Sequence, residues 1–258
     1  MRINIISPSV SSLNTADDGK NVQGDEIVAR AWVKSLNKSA NKVITNLGHT
    51  QEVPDVTIYF SPLSEIKKDS SFKVLYLQNV FPKPHWPGTV ETFHRVKEKY
   101  DNFIFPSQGL KDLSETQDSL VLQFAADHEI YKPNPIAFNL MHNMCFVGNN
   151  FRAPEITEQF ILCTSEMGLA IYGNPKSWNN FLCRGKISPA DESALYSSSK
   201  ICLNVHLKEH LENGTFNLRI FNILSSGGFV ISDHSEKLEK EFGDCIVFTT
   251  GHQDLKDK

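Results

Sequence analysis

The residues best suited by type and spacing to do chemistry lie in one stretch. It runs Leu203-Asn204-Val205-His206, a polar insert from Leu207 to Gly214, then Thr215-Phe216-Asn217-Leu218-Arg219-Ile220-Phe221-Asn222-Ile223-Leu224-Ser225-Ser226-Gly227-Gly228, leading into 229–233. The pattern reads as strand, loop, helix, tight turn and strand. A helix over Thr215–Ser225 puts Asn217 and Arg219 in its first turns, where unpaired backbone N–H groups and the positive end of the dipole attract anions. A pyrophosphate there would be clamped by the planar guanidinium of Arg219. Asn222, three residues further on, shares that face and reaches a hydroxyl beside the phosphate. The same letters also describe a surface helix with an exposed arginine and a glycine turn.

Other chemistries lack their defining residues. The histidines form no metal-ligand pattern, and the five cysteines (Cys145, Cys163, Cys183, Cys202, Cys245) are at least 18 residues apart, so no pair has ligand or CxxC spacing. They read as reduced thiols acting as small hydrophobes, and neither a metal nor a cofactor is expected. There is no G-x-x-x-x-G-K-[ST], G-x-S-x-G or G-x-G-x-x-G. Twenty-six Lys and Arg against thirty Asp and Glu give a net charge of −4, which argues against a nucleic-acid coat. No apolar run approaches the length of a membrane span, and the start is too quickly polar for a signal peptide; the expectation is a cytoplasmic chain with no integral membrane segment.

The elements that must position these residues alternate in a βαβ manner. Arg2–Ser7 reads as a strand and Asp25–Asn37 as a helix with an apolar stripe. Lys42–Asn46, Val56–Phe60, Lys73–Gln78 and Asn102–Pro106 read as strands, and Thr89–Lys99 and Gln108–Ser114 as helices. The period is lost around Leu122–Asn139, where Pro133 and Pro135 mark a linker. A second series follows: strand Met144–Val147, helix Ile156–Glu166, strands Leu169–Tyr172 and 181–183, helix Pro189–Ser197, strand Lys200–His206. The helix at Thr215 comes next, then strand Phe229–Ser232, helix Ser235–Glu241 and strand Cys245–Thr249. The organisation is therefore α/β in two domains, 1–140 and 141–258, and paired α/β domains suggest a cleft.

Taken together, N-V-H, the polar loop and N-L-R-I-F-N-I-L-S-S-G-G-F-V-I-S-D at 204–233 resemble the donor-nucleotide segment of the CgeB/YkvP-like glycosyltransferases. That group is itself similar to glycosyltransferase family 4. Leu122-Gln123-Phe124-Ala125-Ala126-Asp127-His128-Glu129-Ile130-Tyr131-Lys132-Pro133 resembles the family's linker, Phe146-Val147-Gly148-Asn149 its second-domain opening strand, and Tyr172-Gly173 followed by Trp178 its G-x-x-W. The resemblance implies a GT-B fold, two Rossmann-like domains facing a cleft, with a nucleotide-diphosphate sugar bound by the second and an acceptor by the first. It implies a metal-independent, retaining transfer to a glycan or other hydroxyl acceptor. By motif position Arg219 would contact the diphosphate and His206 would line the donor pocket, these two being the catalytic candidates. Gly148, Gly173, Asn217, Arg219 and Asn222 would form the donor site, Gly173 by letting backbone approach the nucleotide. One departure stands out: the family's usual Glu after Arg-x-Phe is Asn222 here, which keeps hydrogen bonding without the charge.

In the first domain Gly24 and Asp25, before the helix, occupy the place of the family's acceptor or phosphate loop, although a glycine followed by acids is also an ordinary helix start. His85 and Trp86, in a proline-rich loop after a strand, either contact the acceptor or simply pack. Resembled chains continue through further C-terminal helices, so the second domain reads as short, its apolar surface uncovered or covered by a partner or second copy. The competing readings are a non-catalytic nucleotide- or sugar-binding module of the same fold and a bilobal binding protein.

Overall fold

The computed structural model describes residues 1–7, 24–39, 42–45, 53–78, 89–178 and 182–257. His85, Trp86 and the residues just before Gly24 lie outside them. By their contacts the described residues form two compact units, one running to Gln123 and including Glu212–Thr215, the other comprising the described residues of 124–211 and 216–257.

The first unit holds β1 (Arg2–Ile6), α1 (Gly24–Lys38), β2 (Lys42–Thr45), β3 (Val56–Tyr59), β4 (Phe72–Tyr76), α2 (Thr89–Val96), β5 (Asn102–Phe105), α3 (Gln108–Ser114) and β6 (Ser119–Val121). Its sheet is parallel throughout, in the order β2-β1-β3-β4-β5-β6. The apolar strand runs are long enough to be covered on both faces, as parallel sheets require. Tyr59, Leu75, Leu77, Phe93, Tyr100, Phe105 and Leu110 make one buried cluster. Strand order reverses beside β1, and it is here, at the β1 end, that Asp25 in the first turn of α1 accepts a 2.7 Å hydrogen bond from Ser7. The acids after Gly24 thus start a helix, as their favourable place in its dipole predicts.

The second unit follows with β7 (Met144–Val147), α4 (Pro154–Phe160), β8 (Leu169–Tyr172), α5 (Pro189–Ser198), β9 (Ile201–Asn204), the greater part of α6 (Lys208–Asn213) and α7 (Leu218–Ser225). It ends with β10 (Val230–Asp233), α8 (Glu236–Phe242), β11 (Val247–Thr249) and α9 (His252–Asp257). Its sheet is also parallel, in the order β11-β10-β9-β7-β8. Met144, Phe146, Ile161, Ile171, Trp178, Leu203, Val205 and Ile231 form its core. The strand expected at 181–183 begins outside the described residues; within them Cys183 bridges Ile171 in parallel. The polar insert after His206 contains helix α6, built from Lys, Glu and Leu, which favour helix without leaving an apolar stripe to read.

The stretch read as a linker packs with the second unit. Serines on one side of α5 satisfy backbone that the prolines keep out of regular structure. The N–H groups of Lys132, Asn134 and Ala137 donate to Ser193, Ser197 and Ser198 over 3.3, 3.0 and 2.9 Å.

Among the described residues all five cysteines are free thiols, and Cys145 and Cys202 sit side by side in β7 and β9 with sulfurs 3.6 Å apart. No helix among those residues is long and apolar enough to cross a membrane.

Candidate functional site

The C-terminal ends of β7, β9 and β10 bring one set of sequence-predicted residues together. Arg219, in the first turn of α7, donates through Nε to the Val147 carbonyl at the end of β7. Its Nη1 reaches Asn204 Oδ1 at 3.3 Å and the Val205 carbonyl at 3.4 Å. A second arginine, which the sequence reading did not single out, joins it. Arg152 donates from Nε and Nη2 to the same Val205 carbonyl, at 3.1 and 2.5 Å, and from Nη1 to the Asn149 carbonyl at 3.2 Å. Both guanidiniums lie over the Phe146 ring, 4.4 Å for Arg219 and 5.1 Å for Arg152 to the centroid, a cation–π arrangement on one aromatic platform.

Among the described residues neither arginine pairs with a carboxylate; each acceptor is a carbonyl or an amide oxygen. Burial first, and then the charge of Arg219, pull Arg152 down to about 9, while Arg219 is lowered by burial despite the field of Tyr196, Glu192 and Asp233. Two like charges held together by neutral acceptors have the chemistry to receive an anion of higher charge.

Val205 O belongs to the peptide whose N–H, on His206, donates to Asp233 Oδ2 at 2.8 Å. One peptide unit therefore links the Asp233 carboxylate on β10 to both guanidiniums. The His206 ring is itself engaged, with Nδ1 2.7 Å from Asp233 Oδ1 and Nε2 3.4 Å from the Asn204 amide nitrogen. Ser232 donates to Asp233 at 3.0 Å and accepts from Asn204 at the same distance. His206 is only 1% exposed, its ring enclosed by Asp233 and Asn204. Burial alone would raise the Asp233 carboxyl; the His206 imidazole and backbone N–H together with Ser232 more than offset this and hold it below its ordinary range.

The two glycines of the donor motifs meet at one carbonyl. Gly148 has φ +149°, in the region that favours glycine, and a Cβ there would fall 2.5 Å from Arg219 Nη2. A Cβ on Gly173 would collide with the Gly148 carbonyl oxygen. That oxygen accepts from Trp178 Nε1 at 2.8 Å, and the indole packs edge-on to Phe146 at 5.6 Å. The spacing from Gly173 to Trp178 thus fixes the turn on which both arginines rest. Asn217 is the N-cap of α7, its side chain accepting from Ile220 N at 3.3 Å, rather than a residue of the first turn. Asn222 is 3% exposed, and its Oδ1 is buried without a hydrogen-bond partner.

Arg152 and Asp233 are the functional candidates that sequence reasoning missed. Arg152 follows a strand end and a glycine, the place where parallel sheets bind ligands, and that position was its only signal. Among the described residues no group of three or more His, Cys, Asp or Glu side chains is placed to hold a metal.

Two parallel α/β units of this topology define the GT-B fold. Residues 154–258 match the model of a glycosyl transferase-like family. Among solved structures, the chain is similar to a sucrose-phosphate synthase from Thermosynechococcus elongatus, with 10% identity and a TM-score of 0.67 over 99% of this chain and 88% of that one. It is similar to AviGT4, a glycosyltransferase involved in avilamycin A biosynthesis, with 11% identity and a TM-score of 0.66 over 99% and 86%. A DNA-modifying β-glucosyltransferase, studied with and without uridine diphosphoglucose, gives 15% identity and a TM-score of 0.60 over 100% and 87%. No curated protein matches the chain in sequence.

Proposed function

We propose that the chain is a glycosyltransferase that binds a nucleotide-diphosphate sugar on its second unit and moves the sugar to an acceptor hydroxyl. The observation that carries this reading is the pair of guanidiniums, Arg219 and Arg152, sharing the Val205 carbonyl and the Phe146 ring and, among the described residues, paired with no carboxylate. Charge grows on the diphosphate as the glycosidic bond to it breaks, and fixed cations at that position stabilise the transition state more than the bound ground state. His206 and Asp233 act through the clamp, holding the peptide to which both arginines donate. Asp25, fixed by Ser7, offers a carboxylate to an acceptor hydroxyl. The two guanidiniums supply the charge that a divalent cation would, and, following the resemblance, transfer proceeds with retention.

The test is release of nucleoside diphosphate from a panel of nucleotide sugars, with wild type and Arg219→Ala compared in the presence of a chelator. Turnover that survives the chelator and is lost in the variant supports the reading. A wild type that neither turns over nor binds any donor overturns it. Turnover abolished by the chelator and restored by Mg2+ overturns the metal-independent form alone. Binding without turnover would establish the second reading, a nucleotide-sugar-binding module, favoured by the Asn222 amide standing where the resembled family has a carboxylate.

A further inference from the structure

The turn that leads into α7 belongs by its contacts to the first unit: Glu212–Thr215 group with the residues running to Gln123, while the chain on either side groups with the second. Its anchor is the start of α3. Ser107 caps that helix, its Oγ accepting from Leu110 N at 3.2 Å. The same hydroxyl donates to the Asn213 carbonyl at 2.9 Å. Thr215 Oγ1 stands 2.9 Å from it and, with the single Ser107 proton already directed to Asn213, Thr215 is the donor of this third bond. One hydroxyl thus joins a helix cap to two residues of the turn, and both Ser107 and Thr215 are buried.

Gly109 shows how close the turn comes. A Cβ there would fall 2.4 Å from the Asn213 carbonyl oxygen and 3.2 Å from its Cα, backbone that cannot rotate aside as the end of a side chain can. Alanine is the better helix former by up to about 1 kcal/mol, so the missing side chain serves the approach of the turn and not the helix. Beyond Thr215 the path to the clamp is short. Phe216 is buried, edge-on to Phe242 at 5.5 Å and to the His206 ring at 6.4 Å. Asn217 then caps α7, and Arg219 follows with its guanidinium on the Val147 and Val205 carbonyls. Thr215, Phe216 and Asn217 are each held, so a displacement of the turn carries to the start of α7.

We propose that Ser107, Gly109 and Thr215 are positioning residues for Arg219: they fix the turn from which α7 starts and so aim the guanidinium at the oxygen on which charge grows as the bond between sugar and diphosphate breaks. This inference rests on the glycosyl-transfer reading above. A slightly displaced guanidinium still reaches a bound diphosphate, which offers several oxygens to it. The transition state needs the donor in one place, already set before charge develops. The contact therefore acts on the chemical step and not on binding.

The test is steady-state release of nucleoside diphosphate, with water as acceptor, from UDP-glucose, UDP-N-acetylglucosamine, GDP-mannose and GDP-fucose. Wild type is compared with Gly109→Ala, Thr215→Val and Thr215→Ser, and each protein is also titrated with inorganic pyrophosphate. Gly109→Ala and Thr215→Val are expected to lower kcat about tenfold, with KM and pyrophosphate affinity within about twofold of wild type. Thr215→Ser keeps the hydroxyl and recovers most of the loss. In an Arg219→Lys background, where the planar fork is already gone, Thr215→Val lowers kcat by clearly less, since both changes act on one group. Residues that served the fold alone would lower the unfolding temperature and leave kcat of the folded protein unmoved. A folded Thr215→Val with the wild-type kcat overturns the inference, whether or not Gly109→Ala folds. So does a loss of equal size in the wild-type and Arg219→Lys backgrounds. Both outcomes leave the glycosyl-transfer reading standing, because the wild type still turns over. A wild type that releases no diphosphate from any of the four donors overturns that reading and the inference with it.

Discussion

Two guanidiniums share one carbonyl and one aromatic ring, and substitution separates their parts. Arg219→Ala removes a charge-assisted donor and is expected to weaken inorganic pyrophosphate binding roughly ten- to hundredfold. Arg219→Lys recovers only part of this, because an ammonium is a point charge and cannot span two oxygens as the planar fork does. Arg152→Ala has an effect of the same order, and the double variant loses less than the sum, since both act on one anion through one acceptor peptide; titration calorimetry over the four proteins measures the coupling. Behind them, Asp233→Ala leaves the His206 ring and N–H without their acceptor and lowers unfolding stability by about 3 kcal/mol in urea titrations. The pH dependence follows from the same contacts. Asp233 holds its proton less tightly in the folded chain than in the unfolded one. Its contribution is therefore complete above the unfolded carboxylate value, about pH 4, and is lost as pH falls through the lower folded value. Thermal unfolding followed against pH shows this as a steep loss below about pH 4 in wild type that is shallower in Asp233→Asn.

At the level of elements, the loops after β7 and β8 are joined by what two glycines leave out. Gly173→Ala drives a Cβ against the Gly148 carbonyl, backbone that cannot swing aside, so it destabilises the second unit by about 1–3 kcal/mol. Gly148→Ala meets instead the far end of the Arg219 side chain, in a backbone conformation that alanine seldom adopts. Its loss appears both in stability and in pyrophosphate affinity, and comparing the ratio of the two losses in the two variants distinguishes a backbone collision from a displaced guanidinium. These elements also show what the sequence could disclose. Strands such as Met144–Val147 and helices such as Gln108–Ser114 announce themselves by apolar runs and by a cap, and their order alone indicates two parallel α/β units. Arg219 was legible because a helix start follows a strand and a polar loop. Arg152 was not, because it comes five residues after β7 in irregular chain, where no period marks which way a side chain turns. The docking of the proline stretch on the serines of α5 was equally hidden: hydroxyl-to-backbone bonds over some sixty residues of sequence leave no local pattern.

For the whole molecule, the proposed anion site makes stability a test of binding. In the folded chain two cations lie close together over Phe146, and both burial and mutual repulsion disfavour the charge on Arg152. An anion that binds this arrangement and not the unfolded chain stabilises the fold by mass action, by about 2.7 kcal/mol at one hundred times its dissociation constant. The clamp residues Arg152, Arg219, Phe146 and Val205 all belong to the second unit, whereas the core around Tyr59 and Phe105 belongs to the first. Saturating inorganic pyrophosphate should therefore raise the unfolding temperature of the second unit, by up to about 10 °C for a unit of this size, and leave a separately melting first unit where it was. Scanning calorimetry with and without pyrophosphate measures this directly. Arg219→Ala and Arg152→Ala should each remove most of the shift. A shift that persists in both variants would mean that the anion stabilises the chain somewhere other than on the shared Val205 carbonyl, and the clamp would no longer account for diphosphate recognition.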